Sequence, residues 1–273
     1  MVGNPKHLSA VENMVAEKTT GETATVAQKR GGPRAARSPR PLDELRAGTT
    51  KSLNAALMER LRAHLITGAI APDVKLKIPD VCADYGVSPG VAREVLSRLA
   101  SEGLIDFTDQ RGFRTPPLTA DAIKDITRVR LLVERDALID AMHHGTDEWE
   151  AQIVAAQHRM QSFERLSEVS NFGISEEWSL RHKEFHRALV GACTSPWLIR
   201  LHSMLYDQTE RYRFIAAKGG NLATGRRRNT SSEHAQLAEA VIARDEATAL
   251  RLMEQHLNRT ADRALAAAGL ADK

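Results

Sequence analysis

The chain has 273 residues, 42% of them apolar and 4% aromatic, with 38 Lys and Arg against 35 Asp and Glu for a net charge of +3. That length holds two domains with their own cores, or one large one. The longest apolar stretches fall far short of the roughly 20 residues of a membrane helix, and the N-terminus lacks the apolar segment of a secretory leader.

Residues 1–48 are rich in Gly, Pro, Thr, Ala and charge, and carry Lys29, Arg30, Arg34, Arg37 and Arg40 with no acid between them. This composition predicts a disordered basic arm, either a solvated leader or one adding phosphate or minor-groove contacts. A helix follows over 53–67, with Leu57, Leu61 and Leu65 as its apolar stripe and Gly68 as its stop. After an extended VKLKI, Pro79 opens a short helix that Gly86 ends, and Ser88 caps the next, GVAREVLSRLASEG. Helix, glycine-containing turn, helix is a helix-turn-helix signal. Two short strands around DQRG form a small wing, and Pro116 and Pro117 close a DNA-binding domain spanning 49–118. Arg93 lies on the polar face of the second helix, opposite Val91, Val95 and Leu99, and Arg111 lies at the wing tip beside Gly112. With Arg98, and Lys75 and Lys77 as further phosphate contacts, these are the candidate DNA-binding residues.

From Thr119 the pattern is helical almost throughout, with spans expected at 119–144, 147–167, 174–193, 195–217, 231–244 and 245–267. A polar loop, 218–230, contains three adjacent arginines, and 268–273 is a tail. The fold class is therefore mainly α: an N-terminal winged helix-turn-helix with a small β wing, then an all-α antiparallel bundle over 119–267. Cys82 and Cys193 lack a CxxC partner and read as small core residues of a cytoplasmic protein.

Three segments of the bundle offer histidines to one metal site: HKEFH with His182 and His186, SSEHAQL with His234, and MEQHLN with His256. Residues four apart on a helix stack on one face, so His182 and His186 can grip the same ion. Neutral imidazole suits a divalent ion such as zinc, with nickel or another transition metal also fitting. HKEFH is not the zinc-protease HExxH, in which Glu directly follows the first His. Glu184 stands two residues after His182, about 200° around a helix of 3.6 residues per turn, and faces away from the ion. His143, His144, His158 and His202 read as surface or helix-end residues.

The stretches ITGAIAP, YGVS, AREVLSRLASEGLI and RGFRT resemble the winged helix of GntR-type bacterial transcription regulators. RVRLLVERDAL, FHRALVGAC, EH at 233–234 and ARDEATALRLMEQHL resemble the all-helical FCD effector domain of their FadR-like branch. DEWEA, WSLRHKEFH and ERYRFI look closest to the sub-branch of the carbon-starvation-inducible operon repressor. The resemblance implies that His186, His234 and His256 are metal ligands, and that Arg130 points into an effector pocket where its guanidinium suits a carboxylate. Salt-bridging to Glu134 one turn on is the alternative for Arg130, and Arg213 is a second candidate clamp. Two departures stand out: His182 occupies a position where many such domains have Asp, and Pro89 and Gly90 stand where Arg and Thr commonly start the recognition helix.

The expectation is a homodimeric repressor, not an enzyme. It binds a palindromic double-stranded DNA operator, with a small carboxylic acid effector beside the metal controlling affinity. A metalloenzyme with a nucleic-acid module and a DNA binder with a purely structural metal are the rivals.

Overall fold

The computed structural model describes residues 52–170, 175–218 and 230–271. The basic arm and the arginines of the 218–230 loop lie outside them. The first helix, α1 (Leu53–Ile66), starts where the Ser52 hydroxyl accepts the Ala55 N–H at 3.3 Å. Strand β1 (Lys75–Leu76) leads into α2 (Ile78–Tyr85), which carries proline in its first turn and ends at Gly86 with φ 66°, a left-handed cap that glycine adopts without steric cost. Ser88 then caps α3 (Pro89–Ser101), the recognition helix.

Strands β2 (Asp106–Thr108) and β3 (Gly112–Arg114) make the wing, and β1 adds to it, giving an antiparallel sheet of order β1-β3-β2. The extended piece before α2 is thus a true third strand, registered Leu76 against Phe113. Leu57, Leu61, Leu65, Leu96, Leu99, Leu104 and Phe113 form the core beneath, each fully buried Leu contributing about 1.5–3 kcal/mol.

Six helices follow among the described residues: α4 (Ala120–His144), α5 (Asp147–Ser170), α6 (Glu176–Leu189), α7 (Pro196–Lys218), α8 (Thr230–Ile242) and α9 (Glu246–Ala267). Helix α4 packs on α7 and α9, while α5 packs on α6 and α8. Leu138, Trp149, Ile153, Met160, Phe185, Leu189 and Val241 make their shared core. Helix α6 stops at Leu189, four residues before the expected end. There the chain turns, and the Asp140 carboxylate accepts both the Thr194 N–H at 2.5 Å and its hydroxyl at 3.0 Å. That backbone N–H holds the Asp140 carboxyl below the usual range. Among the described residues no helix is long and apolar enough to cross a membrane.

The winged helix and the bundle fall in one compact unit. Helix α7 is the fastener. Asp207 accepts Arg62 Nη1 of α1 at 3.0 Å, Gln208 Nε2 donates to the Gly103 carbonyl at 2.5 Å, and Arg211 Nη2 donates to the Pro116 carbonyl at 2.6 Å. Arg211 is wholly buried, and its bond to the half-buried Pro116 carbonyl is charge-assisted and therefore stronger than a neutral one.

Candidate metal and effector site

Helix α6 brings His182 and His186 onto one face, α8 adds His234 and α9 adds His256. All four rings are buried, and one ligand atom from each lies within 4.8 Å of the others. Nε2 of His182 and Nε2 of His186 are 3.2 Å apart. Two nitrogens bound to one zinc at about 2.0–2.1 Å are separated by roughly 3–3.4 Å for angles near tetrahedral or octahedral values. Burial holds both imidazoles well below their ordinary pKa, with the neighbouring imidazoles adding to it. Both are therefore neutral at pH 7 and keep the lone pair that a ligand needs. His186 Nδ1 has no hydrogen-bond partner among the described residues. The donor set fits a divalent transition-metal ion.

A surrounding layer orients these rings, as is usual for metal-ligating histidines. The Tyr206 hydroxyl sits 2.5 Å from His182 Nδ1, which directs Nε2 toward His186. The Trp178 ring stacks on His182 at 4.5 Å between centroids. His256 Nδ1 lies 3.2 Å from Glu233 Oε2, and Arg259 binds the other oxygen of the same carboxylate at 3.0 Å. A cleft of about 580 Å³ between α8 and α9 reaches His256 and Glu233 and is otherwise lined mainly by polar and charged side chains. Glu184 is exposed and 3.6 Å from Arg159, so it does not face the cluster.

The two candidate clamps are both near the histidines, and both are already engaged. Arg130 Nε donates to Glu134 Oε1 at 2.9 Å with both side chains buried, so the helix-internal ion pair is present. The same guanidinium lies over the Tyr206 ring at 5.0 Å and helps depress the His186 pKa, which places it at the floor of the site. Arg213 binds Glu210, approaches His182 Nδ1 at 3.3 Å and stacks over Trp178 at 4.6 Å. One expectation fails: His202 is not a surface residue but is 3% exposed, with Nε2 3.4 Å from Glu134 Oε1. Its position on α7, facing the bundle, buries it. His143, His144 and His158 are exposed as expected.

Sequence reasoning named Glu134 as a partner for Arg130 but missed Trp178, Tyr206 and Glu210 as parts of this site. A signal existed: His202, Tyr206, Glu210 and Arg213 recur at helical spacing and form a polar stripe on one face of α7. Trp178 stands four residues before His182 and shares its face.

In the winged helix, Arg93 is exposed on α3, on the side opposite buried Ala92, Val95, Leu96 and Leu99. Arg98 is also exposed, with Nε 3.8 Å from Glu102. Arg111 is exposed in the wing turn between Gln110 (φ 64°) and Gly112 (φ 78°). Lys75 and Lys77 are exposed on and after β1.

Comparison with known proteins agrees with this architecture. Residues 53–114 match the model of the gntR family of bacterial regulatory proteins, and residues 125–259 match the FCD domain. The HTH-type transcriptional regulator BphR of Paraburkholderia xenovorans (strain LB400) is 34% identical over 220 residues, covering 81% of this chain and 86% of its own. The HTH-type transcriptional repressor GlaR of Escherichia coli (strain K12) is 34% identical over 197 residues, covering 72% and 89%. Among solved structures, E. coli McbR/YncC superposes with a TM-score of 0.63 at 19% identity, covering 77% of this chain and 95% of that one. A putative GntR regulator from Rhodococcus sp. RHA1 gives 0.58 at 20% identity, covering 79% and 99%. At those identities the structures speak for the fold, and the two sequence relatives speak for the family, whose members are regulators and not enzymes. The chain therefore belongs to the GntR family of DNA-binding transcriptional regulators, in its branch with an FCD effector domain.

Proposed function

We propose that the protein is a homodimeric, cytoplasmic repressor of the carbon-starvation-inducible operon sub-branch, releasing a palindromic operator when a small carboxylate binds beside a metal held by His182, His186, His234 and His256. The observation that carries this reading is the convergence of four buried imidazoles in a bundle fastened directly to the winged helix. The repressor role is supported by the E. coli relative, which is named a repressor. A bound divalent ion supplies an electrophilic anchor for a ligand carboxylate. Arg130 and Arg213 supply the cationic partners, each exchanging part of its present bond to Glu134 or Glu210 for the ligand. Arg93, Arg98, Arg111, Lys75 and Lys77 contact DNA, and dimerisation through the bundles sets two winged helices on half-sites roughly one helical turn apart. The ligand acts only by preferring one arrangement of the domains over another.

Thermal shift against mono- and dicarboxylic acids, with and without chelator, together with operator binding on the same samples, tests the reading. A stabilising acid that also weakens operator binding, and does neither after chelation, is the expected result. If no acid stabilises the zinc-loaded protein and none weakens operator binding, the sensor reading is wrong. Full metal affinity in His182→Ala would reduce the site to three histidines.

A further inference from the structure

Helix α7 presents two sets of side chains to two different neighbours. Tyr206, Glu210 and Arg213 face the histidine cluster, while Asp207, Gln208 and Arg211 hold the winged helix. Asp207, only 4% exposed, stands between them. One of its oxygens binds Lys183 Nζ, and Lys183 directly follows His182 on α6. Its other oxygen accepts Arg62 Nη1 at 3.0 Å, and Arg62 Nη2 binds the Glu102 carboxylate. Glu102 is the C-cap residue of the recognition helix and lies 3.8 Å from Arg98. Two cations and two carboxylates thus alternate in an unbroken path from α6 to the end of α3.

We infer that Asp207 is a positioning residue for the recognition helix, transmitting the state of the histidine site to α3 through Lys183, Arg62 and Glu102. The physical reason is competition for one buried carboxylate. Asp207 is nearly closed to the solvent that could replace a departing partner, so any displacement of α6 that lengthens the Lys183 contact strengthens its hold on Arg62. Arg62 in turn divides its guanidinium between Asp207 and Glu102, so its shift changes how firmly the end of α3 is held. Helix α6 carries two of the four histidines, and a shift of α6 as their rings closed onto an ion would carry Lys183 with it. The inference rests on the reading of the histidines as a metal site that governs DNA binding.

The test uses the full-length protein, zinc or EDTA as the probe, and the variants Lys183→Met and Asp207→Asn. Amide hydrogen exchange over residues 87–104, zinc affinity and operator affinity are measured on each. In the parent chain, zinc should change exchange in this segment and operator affinity, the latter by roughly fivefold or more. In Lys183→Met, which leaves the Arg62–Asp207 bond in place, both responses should shrink toward none while zinc binds no more weakly than to the parent chain. Loss of a merely structural contact would lower stability equally with zinc and EDTA and leave both responses intact, which would overturn the inference. An unchanged α3 exchange on zinc addition to the parent chain would also overturn it. In that case the operator measurement decides separately whether metal governs DNA binding by another route. Should Asp207→Asn fold poorly, the responses of Lys183→Met decide between the two outcomes.

Discussion

Replacing Arg130 by methionine probes the floor of the histidine site. Glu134 is wholly buried and Arg130 is 3% exposed, with its Nε and Nη2 both 2.9 Å from the same carboxylate oxygen. Methionine keeps much of the side-chain length and removes the charge, so Glu134 retains only His202 Nε2 at 3.4 Å. Burial lowers the His202 pKa, so near neutral pH it offers no counter-charge, and its Nε2 lacks the geometry of a hydrogen bond to Glu134. Stripping one partner from a buried ion pair costs about 3–5 kcal/mol. Loss of the guanidinium from the Tyr206 face adds roughly 0.5–2 kcal/mol. The net loss of about 3.5–7 kcal/mol lowers Tm by about 7–28 °C at roughly 2–4 °C per kcal/mol. Urea unfolding followed by circular dichroism measures it directly. The double variant Arg130→Met with Glu134→Gln removes the stranded charge and should recover at least half of the loss. The deficit of the single variant should also shrink as pH falls, because a proton taken up by His202 restores a positive partner. A loss below about 1 kcal/mol, or a double variant no better than the single one, would refute the buried-pair argument.

All three tyrosines are expected to resist ionisation: burial pushes Tyr85 up to about 12, Tyr212 upward, and Tyr206 well above its ordinary value. A raised folded pKa favours the protonated form, so this contribution to stability is complete below about pH 10 and is lost as pH rises through the folded values. Absorbance at 295 nm should show less tyrosinate at about pH 10.5 than three free tyrosines would give, and a ring ionising near its unperturbed value of about 10 would contradict its placement. Gly145→Ala should cost about 1–3 kcal/mol, because a Cβ there runs into the Trp149 ring, which is pinned by its 2.7 Å bond to the Ala188 carbonyl. Intact stability and unchanged tryptophan fluorescence would show that Trp149 can swing aside. Arg93→Ala should weaken specific operator binding by about 1–3 kcal/mol. An equal loss on non-specific DNA, with a shallower salt slope, would reassign Arg93 to phosphate contact.

Much of this molecule is legible in its sequence because the decisive signals are local. Gly86, Ser88 and Pro89 mark the turn into the recognition helix, and Gly112 marks the wing turn, by backbone rules that need no neighbours. The four histidines are legible too, since each lies within an apolar helical pattern. The burial of α7 is not legible in the same way. His202, Tyr206, Asp207, Glu210, Arg211 and Arg213 give that helix the composition of a solvated face, and only packing against α1, α4, α6 and α9 turns it inward. Arg130 shows the same limit in another form. Spacing foretells a pairing with Glu134 and the family resemblance foretells a place at the pocket, and the structure shows the pairing at the floor of the site.

The bonds from Gln208 and Arg211 end on main-chain carbonyls, those of Gly103 and Pro116, and a carbonyl is present whatever side chain its residue carries. Two of the attachments between bundle and DNA reader are therefore blind to the reader's sequence. The exposed positions of α3 can change, as Pro89 and Gly90 already have, without disturbing them. Such a joint lets operator preference drift while the sensing half stays as it is. It also indicates where to cut when exchanging winged helices between relatives: outside residues 103–116, so that both carbonyls travel with the graft.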